Sequence, residues 1–208
     1  MTSQRRTQAD RSAATRDALI RAARPLFAAH GFAGVGTEAI VRAAGVTRGA
    51  MYHHFQDKTE LFAAVFEVVE AEVTQRVATV VLGGGSSDPL EVMLLGTDAW
   101  LDACADPEVQ RIVLLEAPSV LGWERWREIG LRYGMGLVQA SITGAIDAGA
   151  LPDQPVEAAA HVVIGALDEA AMYVARAADP ARAREEVRGV LKRLVNGLSA
   201  DDDAVVES

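Results

Sequence analysis

The chain has 208 residues, half of them hydrophobic, with 20 Lys and Arg against 29 Asp and Glu and a single cysteine. This length suffices for one or two domains with a sizeable core, and one cysteine excludes a disulfide framework or a zinc site built from paired cysteines. The polar N-terminus lacks the apolar stretch of a signal peptide, and the longest uncharged apolar run, Ala158 to Leu167, is shorter than the ~18 residues of a membrane span. We therefore expect a soluble, cytoplasmic protein without a membrane partner.

The charge is distributed unevenly along the chain. Residues 1–58 carry nine basic and four acidic side chains, a net charge of +5, whereas the whole chain has a net charge of -9. A basic head on an acidic body indicates that only the head meets a polyanion such as DNA. A solvated, arginine-rich helix face would give the same pattern, so the charge alone does not decide between the two readings.

Apolar residues recur with helical spacing throughout, and no stretch shows sustained two-residue alternation, so the pattern predicts an all-α fold. Ser12 is a candidate N-cap for a first helix that extends to about Ala29. Pro25 conflicts with the interior of this helix, and Gly31 is placed to end it. The face of this helix that we expect to be buried consists of Leu19, Ala22, Ala23, Leu26 and Phe27.

Two short helices follow, from Thr37 to Gly45 and from Thr47 to about Phe55. Asp57-Lys58-Thr59 then leads into a long helix that reaches about Leu82. The glycine- and serine-rich segment 83–87 predicts a flexible loop. Beyond this loop we expect helices over about 89–105, 107–118, 122–148, 155–178 and 180–198. The segment from Ala200 onward is expected to be a disordered tail, and its acidic part covers 201–208.

The stretch 36–62 has the organisation of a helix-turn-helix. Gly45 permits the sharp turn, Val46 fills the angle between the helices, and Thr47 caps the second helix. On the first helix Ala39, Ile40, Ala43 and Ala44 are expected to face inward. On the second, Met51 and Phe55 lie four residues apart and share a buried face.

The opposite face of the second helix presents Arg48, Gly49, Tyr52 and His53. A glycine inside a helix costs about 1 kcal/mol relative to alanine, which is explained if a partner must approach the backbone closely. Arg48 is placed to reach guanine O6 and N7 from the major groove, and Tyr52 and His53 can donate hydrogen bonds to phosphates. Thr37 and Lys58, at the starts of flanking helices, can contact the DNA backbone.

This segment resembles the DNA-binding domain of the tetracycline-repressor (TetR) family of bacterial transcriptional regulators. The resemblance covers about residues 12–66, and Met51 stands where leucine is more usual. It implies DNA contacts by Thr37, Thr47, Arg48, Gly49, Tyr52, His53, His54 and Lys58. The matching residues are Phe27, Gly31, Phe32, Thr37, Ile40, Ala43, Ala44, Gly45, Val46, Thr47, Gly49, Met51, Tyr52, Phe55, Lys58 and Leu61.

The resemblance further implies a DNA-binding domain over 1–58 and a helical ligand-binding and dimerisation domain over 59–200. The implied assembly is a homodimer in which the last two long helices of each chain form a four-helix bundle. Small residues in 156–177 and the apolar stripe of Leu191, Leu194, Val195 and Leu198 suit such a bundle. They suit an ordinary intramolecular core equally well, so both readings stay open.

Aromatic, methionine and scattered polar residues in the C-terminal part are typical of a small-molecule cavity, although each alone also suits core packing. Glu116 is the acidic residue that we expect to face such a cavity. Trp123 and Trp126 share a helix face and alternatively cover a surface loop, whereas His161 on an apolar face favours a core histidine. The candidate ligand-binding residues are Trp100, Cys104, Glu116, Trp123, Trp126, Tyr133, His161, Asp168 and Met172, and Met135 belongs to the same aromatic and methionine set.

An enzymatic reading has little support. The glycines between Gly31 and Gly36 follow a helix instead of a strand, in the wrong order for a dinucleotide site, and no Walker lysine or nucleophile elbow is present. His53 and His54 point ~100° apart on a helix, which disfavours joint metal binding. We therefore expect no catalytic residues, metal or cofactor. The alternative is a helical small-molecule-binding module or enzyme whose helix-turn-helix is purely structural.

The resulting hypothesis is a homodimeric transcriptional regulator that acts as a repressor. It would bind a near-palindromic double-stranded DNA operator and be released by an unknown small-molecule effector.

Overall fold

The computed structural model describes residues 8–199, and within this range every regular element is helical, which confirms the all-α prediction. The predicted tail over 201–208 lies outside the described residues. The helices are α1 (Gln8–Gly34), α2 (Thr37–Ala44), α3 (Arg48–His54), α4 (Lys58–Gly83), α5 (Pro89–Cys104), α6 (Pro107–Val109), a π-helix (Gln110–Glu116), α7 (Ala117–Leu121), α8 (Trp123–Asp147), α9 (Val156–Arg176) and α10 (Pro180–Gly197).

Short polar side chains begin several of these helices, because they satisfy backbone N–H groups that have no partner within the helix. Thr47 Oγ1 accepts a hydrogen bond from the Ala50 amide at 3.1 Å at the start of α3. Asp88 caps α5 through the Leu90 amide at 2.9 Å, and Asp179 caps α10 through the Arg182 amide at 3.1 Å.

The first helix departs from the prediction at both ends. It begins at Gln8, so Ser12 lies inside it and is exposed. Gly31 does interrupt the helix, with φ 69° and ψ 169°, but one further turn follows to Gly34. Pro25 is accommodated within α1 at an exposed position, although it removes one backbone hydrogen bond of the helix.

Pro118 does not end the helix that precedes it, contrary to the prediction. The backbone passes from the π-helix into α7 at this point, and Pro118 occupies the first turn of α7, where a proline amide hydrogen is not needed. The helix ends instead at Gly122, whose φ of 80° belongs to the left-handed region.

The described chain folds into two compact units. The first comprises the residues up to Val69 together with Pro107–Trp123, and the second comprises Glu70–Asp106 and the residues from Glu124 onward. This grouping differs from the expected division at residue 58. The reason is that α4 begins at Lys58 and that its residues Leu61, Phe62 and Phe66 belong to the core of the first unit.

The core of the first unit is built on aromatic rings. The rings of Phe27 and Phe62 meet edge to face with centroids 5.1 Å apart, and the Phe32 ring lies 5.5 Å from that of Phe62. Leu19, Ala23 and Phe27 of the predicted α1 face are buried, whereas Ala22 and Leu26 are half-buried. In α2 only Ile40 is fully buried, and Ala43 is exposed, contrary to the expectation for that face.

The second unit has a core of its own, in which α5, α9 and α10 pack against one another. One cluster of buried residues joins α5, α8, α9 and α10 and consists of Met93, Ile142, Ala145, Leu151, Ala160 and Val195. The π-helix and α7 belong to the first unit, where Arg24 Nη2 of α1 forms an ion pair with Glu108 Oε1 at 2.6 Å.

Candidate nucleic-acid interface and ligand cavity

The turn between α2 and α3 has the predicted geometry. Gly45 adopts φ 68° and ψ 28°, a left-handed conformation that residues with a side chain rarely take. Its amide donates to the Arg42 carbonyl at 3.2 Å, and the Val46 amide donates to the Val41 carbonyl at 3.0 Å. These bonds end α2 and redirect the chain at once into α3.

The two faces of α3 differ sharply in exposure. Met51 is completely buried and Phe55, which follows the helix, is 4% exposed. Arg48, Gly49, Tyr52 and His53 are all exposed, as predicted. The apolar face therefore fixes the helix to the first unit and leaves the polar face open to a partner.

Arg48 and Tyr52 interact on this open face. The guanidinium carbon of Arg48 lies 5.6 Å from the centroid of the Tyr52 ring, one helical turn away. A hydrogen bond with the Tyr52 hydroxyl raises the pKa of Arg48 above its already high ordinary value. A guanidinium has five N–H donors, so this bond leaves others for a base edge or a phosphate.

Packing inside the protein does not require a glycine at position 49. A Cβ atom added at this position would have Thr47 Oγ1 as its nearest neighbour, at an ordinary contact distance of 3.9 Å. The protein could therefore hold an alanine here, and the glycine keeps the outer surface of the backbone bare.

Lys58 has contacts that the sequence pattern did not reveal. Its Nζ donates to the carbonyls of Phe32 at 2.8 Å and Val35 at 2.9 Å, and it lies 4.0 Å from the centroid of the Phe32 ring. Two of its three N–H donors thus hold the segment between α1 and α2. This geometry supports a positioning role, with one donor left for a DNA phosphate.

The other predicted DNA-contact residues differ in exposure. Thr37, the first residue of α2, is half-buried, whereas Thr47 is exposed although its hydroxyl caps α3. The rings of His53 and His54 meet with centroids 5.2 Å apart. His54 is half-buried, and burial, followed by the charges of His53 and Arg16, lowers its pKa from the ordinary value.

The second unit contains a cavity of about 110 Å³, lined by residues of α4, α5, α8, α9 and α10. Most of its walls are aliphatic side chains such as Val77, Leu137 and Ile164. Trp100 also lines the cavity, and its indole N–H donates to the Leu167 carbonyl at 3.2 Å. The volume approaches the ~150 Å³ of an apolar cavity that holds a benzene molecule.

Two carboxyl groups, Glu70 and Asp168, interrupt the apolar lining. Glu70 is 5% exposed, and burial together with the nearby Asp168 raises its pKa to about 8. Burial also raises the pKa of Asp168, to about 6, although an ion pair with Arg127 at 2.5 Å opposes this rise. Near neutral pH the cavity lining therefore combines a protonated Glu70 with a largely ionised Asp168.

Of the nine predicted ligand-binding residues, the structure brings Trp100 and Asp168 into this lining. Cys104, Trp126 and Met172 are buried elsewhere in the second unit, and Tyr133 is half-buried outside the lining. His161 is exposed, contrary to the expectation of a core histidine, because α9 turns that side away from its neighbours.

Glu116 and Trp123 belong to the first unit and do not line this cavity, which corrects the expectation for both. Glu116 Oε2 accepts a hydrogen bond from the Phe32 amide at 3.3 Å, next to the interruption at Gly31. Glu116 is the last residue of the π-helix, which the sequence pattern did not indicate. Trp123 is 63% exposed, in line with the alternative of a surface position.

Glu70 is the cavity residue that the sequence analysis missed. It lies four residues after Phe66 and seven before Val77, both of which are buried, so helical periodicity places it on the apolar face of α4. An acidic residue at an apolar register position was the signal that could have found it.

Comparison with known proteins supports the architecture over nearly the full chain. Residues 19–65 match the family described as "Bacterial regulatory proteins, tetR family", and residues 90–198 match "Tetracyclin repressor-like, C-terminal domain". The crystal structure of a TetR-family transcriptional regulator from Pectobacterium atrosepticum shares 32% identity, with a TM-score of 0.80 over 94% of this chain and 99% of that one.

Two curated proteins show more local similarity. The Transposon Tn10 TetC protein of Escherichia coli is 31% identical over 136 residues, 64% of this chain and 66% of that protein. The HTH-type transcriptional repressor AcnR of Corynebacterium glutamicum is 35% identical over 85 residues, 41% of this chain and 43% of that protein. The chain thus aligns with two thirds or less of the length of these relatives. The matches to both domains, together with the shared fold, show that the chain belongs to the TetR family of transcriptional regulators.

Proposed function

We propose that this protein is a ligand-responsive repressor in which α3 enters the major groove of an operator. The observation that carries the proposal is the exposed polar face of α3, with Arg48, Gly49, Tyr52 and His53 opposite the buried Met51. Arg48 would read a guanine, while Tyr52, His53, His54, Thr37, Thr47 and the remaining donor of Lys58 would set the register on phosphates.

Dimerisation through α9 and α10 is the second part of the proposal. Val162 is 62% and Tyr173 51% exposed on α9, and Val190 is 52% exposed on α10. Within residues 8–199, α9 is also the one helix long and apolar enough to cross a membrane by length and composition, although only a third of it is buried. A second copy of the chain is the partner that would cover these apolar side chains in a cytoplasmic regulator.

A two-fold dimer would offer its two α3 helices to half-sites about one helical turn, ~34–36 Å, apart or a multiple of that distance. The operator is therefore expected to be a near-palindrome. A small molecule in the cavity of the second unit would favour one of two conformations of the dimer and so change its affinity for the operator. The similarity to AcnR, which is described as a transcriptional repressor, supports repression over activation for this chain.

The decisive experiment is a gel shift with DNA from around the coding region, repeated at rising salt against competitor DNA. Binding that persists over the competitor supports the proposal. Arg48→Ala should reduce discrimination at one position per half-site by about 1–3 kcal/mol. Arg132→Ala, an exposed arginine of the second unit, is the matched control and should leave the discrimination unchanged.

Unchanged sequence preference in the Arg48→Ala protein would contradict the assignment of the reading residue. Turnover of a small molecule without specific DNA binding would instead favour the enzymatic alternative.

A further inference from the structure

Glu70 carries a buried polar atom without a partner. The side chain is 5% exposed, and Oε2 makes no hydrogen bond within the described residues. A buried acceptor that lacks a partner is costly, and native structures usually explain such a group by a ligand, water or ion. Glu70 also lines the cavity of the second unit, so a molecule bound there would lie beside the carboxylate.

The charges around the cavity are already balanced except at Glu70. Arg127 on α8 is paired with Asp168 on α9 through Nη1 and Oδ2 at 2.5 Å. Cys104 on α5 is buried, and burial, then the two carboxylates, raises its pKa well above the ordinary value, so it contributes no negative charge. Arg76 on α4 acts on Cys104 electrostatically, but it does not line the cavity.

An ionised Glu70 would therefore leave one uncompensated negative charge in an apolar enclosure. A ligand anion would find no basic side chain in the lining to neutralise it and is disfavoured. A ligand with a single ammonium group would neutralise the charge and supply a charge-assisted hydrogen bond to Oε2. The remaining walls are mostly aliphatic or aromatic, with the hydroxyl groups of Thr74, Thr97 and Ser141 among them, and they favour a largely apolar body.

We propose that this cavity binds small apolar amines, with the ammonium group hydrogen-bonded to the Glu70 carboxylate and the hydrocarbon part against the aliphatic walls. This inference rests on the proposed function only in taking the cavity as the effector site. The volume of about 110 Å³ selects compact amines of a few heavy atoms.

Binding of the amine is coupled to a proton. In the empty cavity Glu70 holds a proton up to a pH of about 8, since burial and Asp168 raise its pKa. When the ammonium enters, the carboxyl O–H bond breaks, the proton passes to the buffer, and an N–H···O bond to the carboxylate forms. At neutral pH about one proton is thus released per amine, and the affinity rises as the pH approaches about 8.

The first test compares three matched probes on the full-length, DNA-free protein: isobutylamine, isobutanol and isobutyrate. Thermal stabilisation and calorimetric titration should show binding of the amine about tenfold tighter than of the alcohol, because one hydrogen bond is charge-assisted. The carboxylate should not bind. Calorimetry in buffers of different ionisation enthalpy should detect the released proton.

The second test uses two substitutions on α4. Glu70→Gln keeps the size of the side chain, and it should abolish both the preference for the amine and the proton release. Glu72→Gln, an exposed residue of the same helix, is the matched control and should retain both. Circular dichroism checks that each variant is folded.

Three results would overturn the inference: equal affinity for amine and alcohol, an unchanged amine preference in Glu70→Gln, or no binding of any amine from isobutylamine to cyclohexylamine. Operator binding is measured separately on the same protein. Amine binding without specific DNA binding would support the site and contradict the proposed function. DNA release by another class of molecule, with no amine bound, would support the proposed function and contradict the amine site.

Discussion

At the residue scale, internal packing does not explain the glycine at position 49 on the exposed face of α3. The nearest atom to a Cβ at Gly49 would be Thr47 Oγ1 at 3.9 Å, so internal packing tolerates alanine. The backbone cost of the glycine therefore calls for an external reason. A DNA backbone or base edge that approaches α3 closely would supply it.

Gly49→Ala should separate stability from function. We expect the free energy of unfolding to rise by up to about 1 kcal/mol, because alanine favours a helix. Operator affinity should fall, because the methyl group stands between α3 and the groove. Urea unfolding and operator titration measure the two effects. Gly136→Ala, at an exposed position of α8 with open space around it, should stabilise the protein without weakening DNA binding.

Lys58, a predicted DNA contact, also stabilises the first unit through two hydrogen bonds to backbone carbonyls. Removal of its ammonium leaves the carbonyls of Phe32 and Val35 without their donor. Lys58→Ala should therefore lower the free energy of unfolding by about 1–3 kcal/mol, the scale of hydrogen bonds to charged groups. Chemical denaturation measures this loss, and the salt dependence of DNA binding should flatten as well.

The exposed Lys192 of α10 provides the control for this substitution, since Lys192→Ala removes the same charge from a surface position. Equal stability of the two variants would mean that the bonds of Lys58 contribute nothing to the first unit.

At the scale of the elements, α1 and the π-helix meet at Gly31. The residue adopts φ 69°, and a Cβ there would collide with the Glu116 carboxylate. Glu116 in turn accepts a hydrogen bond from the Phe32 amide, so the two elements are locked by one carboxylate. A π-helical turn commonly marks a functional position, which fits a segment that holds the DNA-binding unit.

Gly31→Ala should destabilise the first unit. The backbone conformation alone, with φ 69° and ψ 169°, costs about 1–3 kcal/mol for a residue with a side chain, and the displaced Glu116 adds to this cost. Hydrogen exchange of the α1 amides and the midpoint of thermal unfolding measure the effect. Gly36→Ala is the control, because Gly36 has a negative φ and open space. A loss no larger than that of the control would contradict this account.

At the scale of the whole molecule, the proposed dimer accounts for an apolar helix that is only one third buried. Val162→Asp on α9 should dissociate the dimer, because a charge would be enclosed in the apolar interface. The protomer should remain folded, since Val162 is 62% exposed in the chain itself. Analytical ultracentrifugation measures the mass, and operator affinity should fall with loss of the second half-site.

Val80→Asp introduces the same charge at another exposed valine, on α4, and should leave the dimer intact. A Val162→Asp protein that remains dimeric would place the interface elsewhere.

The local sequence determined the helices and the turn of the DNA-binding unit. Caps such as Thr47, the left-handed turn at Gly45 and the four-residue spacing of Met51 and Phe55 act between near neighbours. These short-range effects made the exposed face of α3 predictable. The same reasoning erred at Ser12 and Pro118, where the surrounding helix tolerated residues that usually end one.

Only the tertiary structure decided which residues line the cavity of the second unit and which stabilise the first unit internally. Glu116 accepts a hydrogen bond from the amide of Phe32, and Lys58 donates to carbonyls that lie more than twenty residues away in the chain. The pKa of Glu70 on α4 is raised in part by Asp168 on α9, which is itself paired with Arg127 on α8. Such contacts join distant parts of the chain, and periodicity carries no information about them.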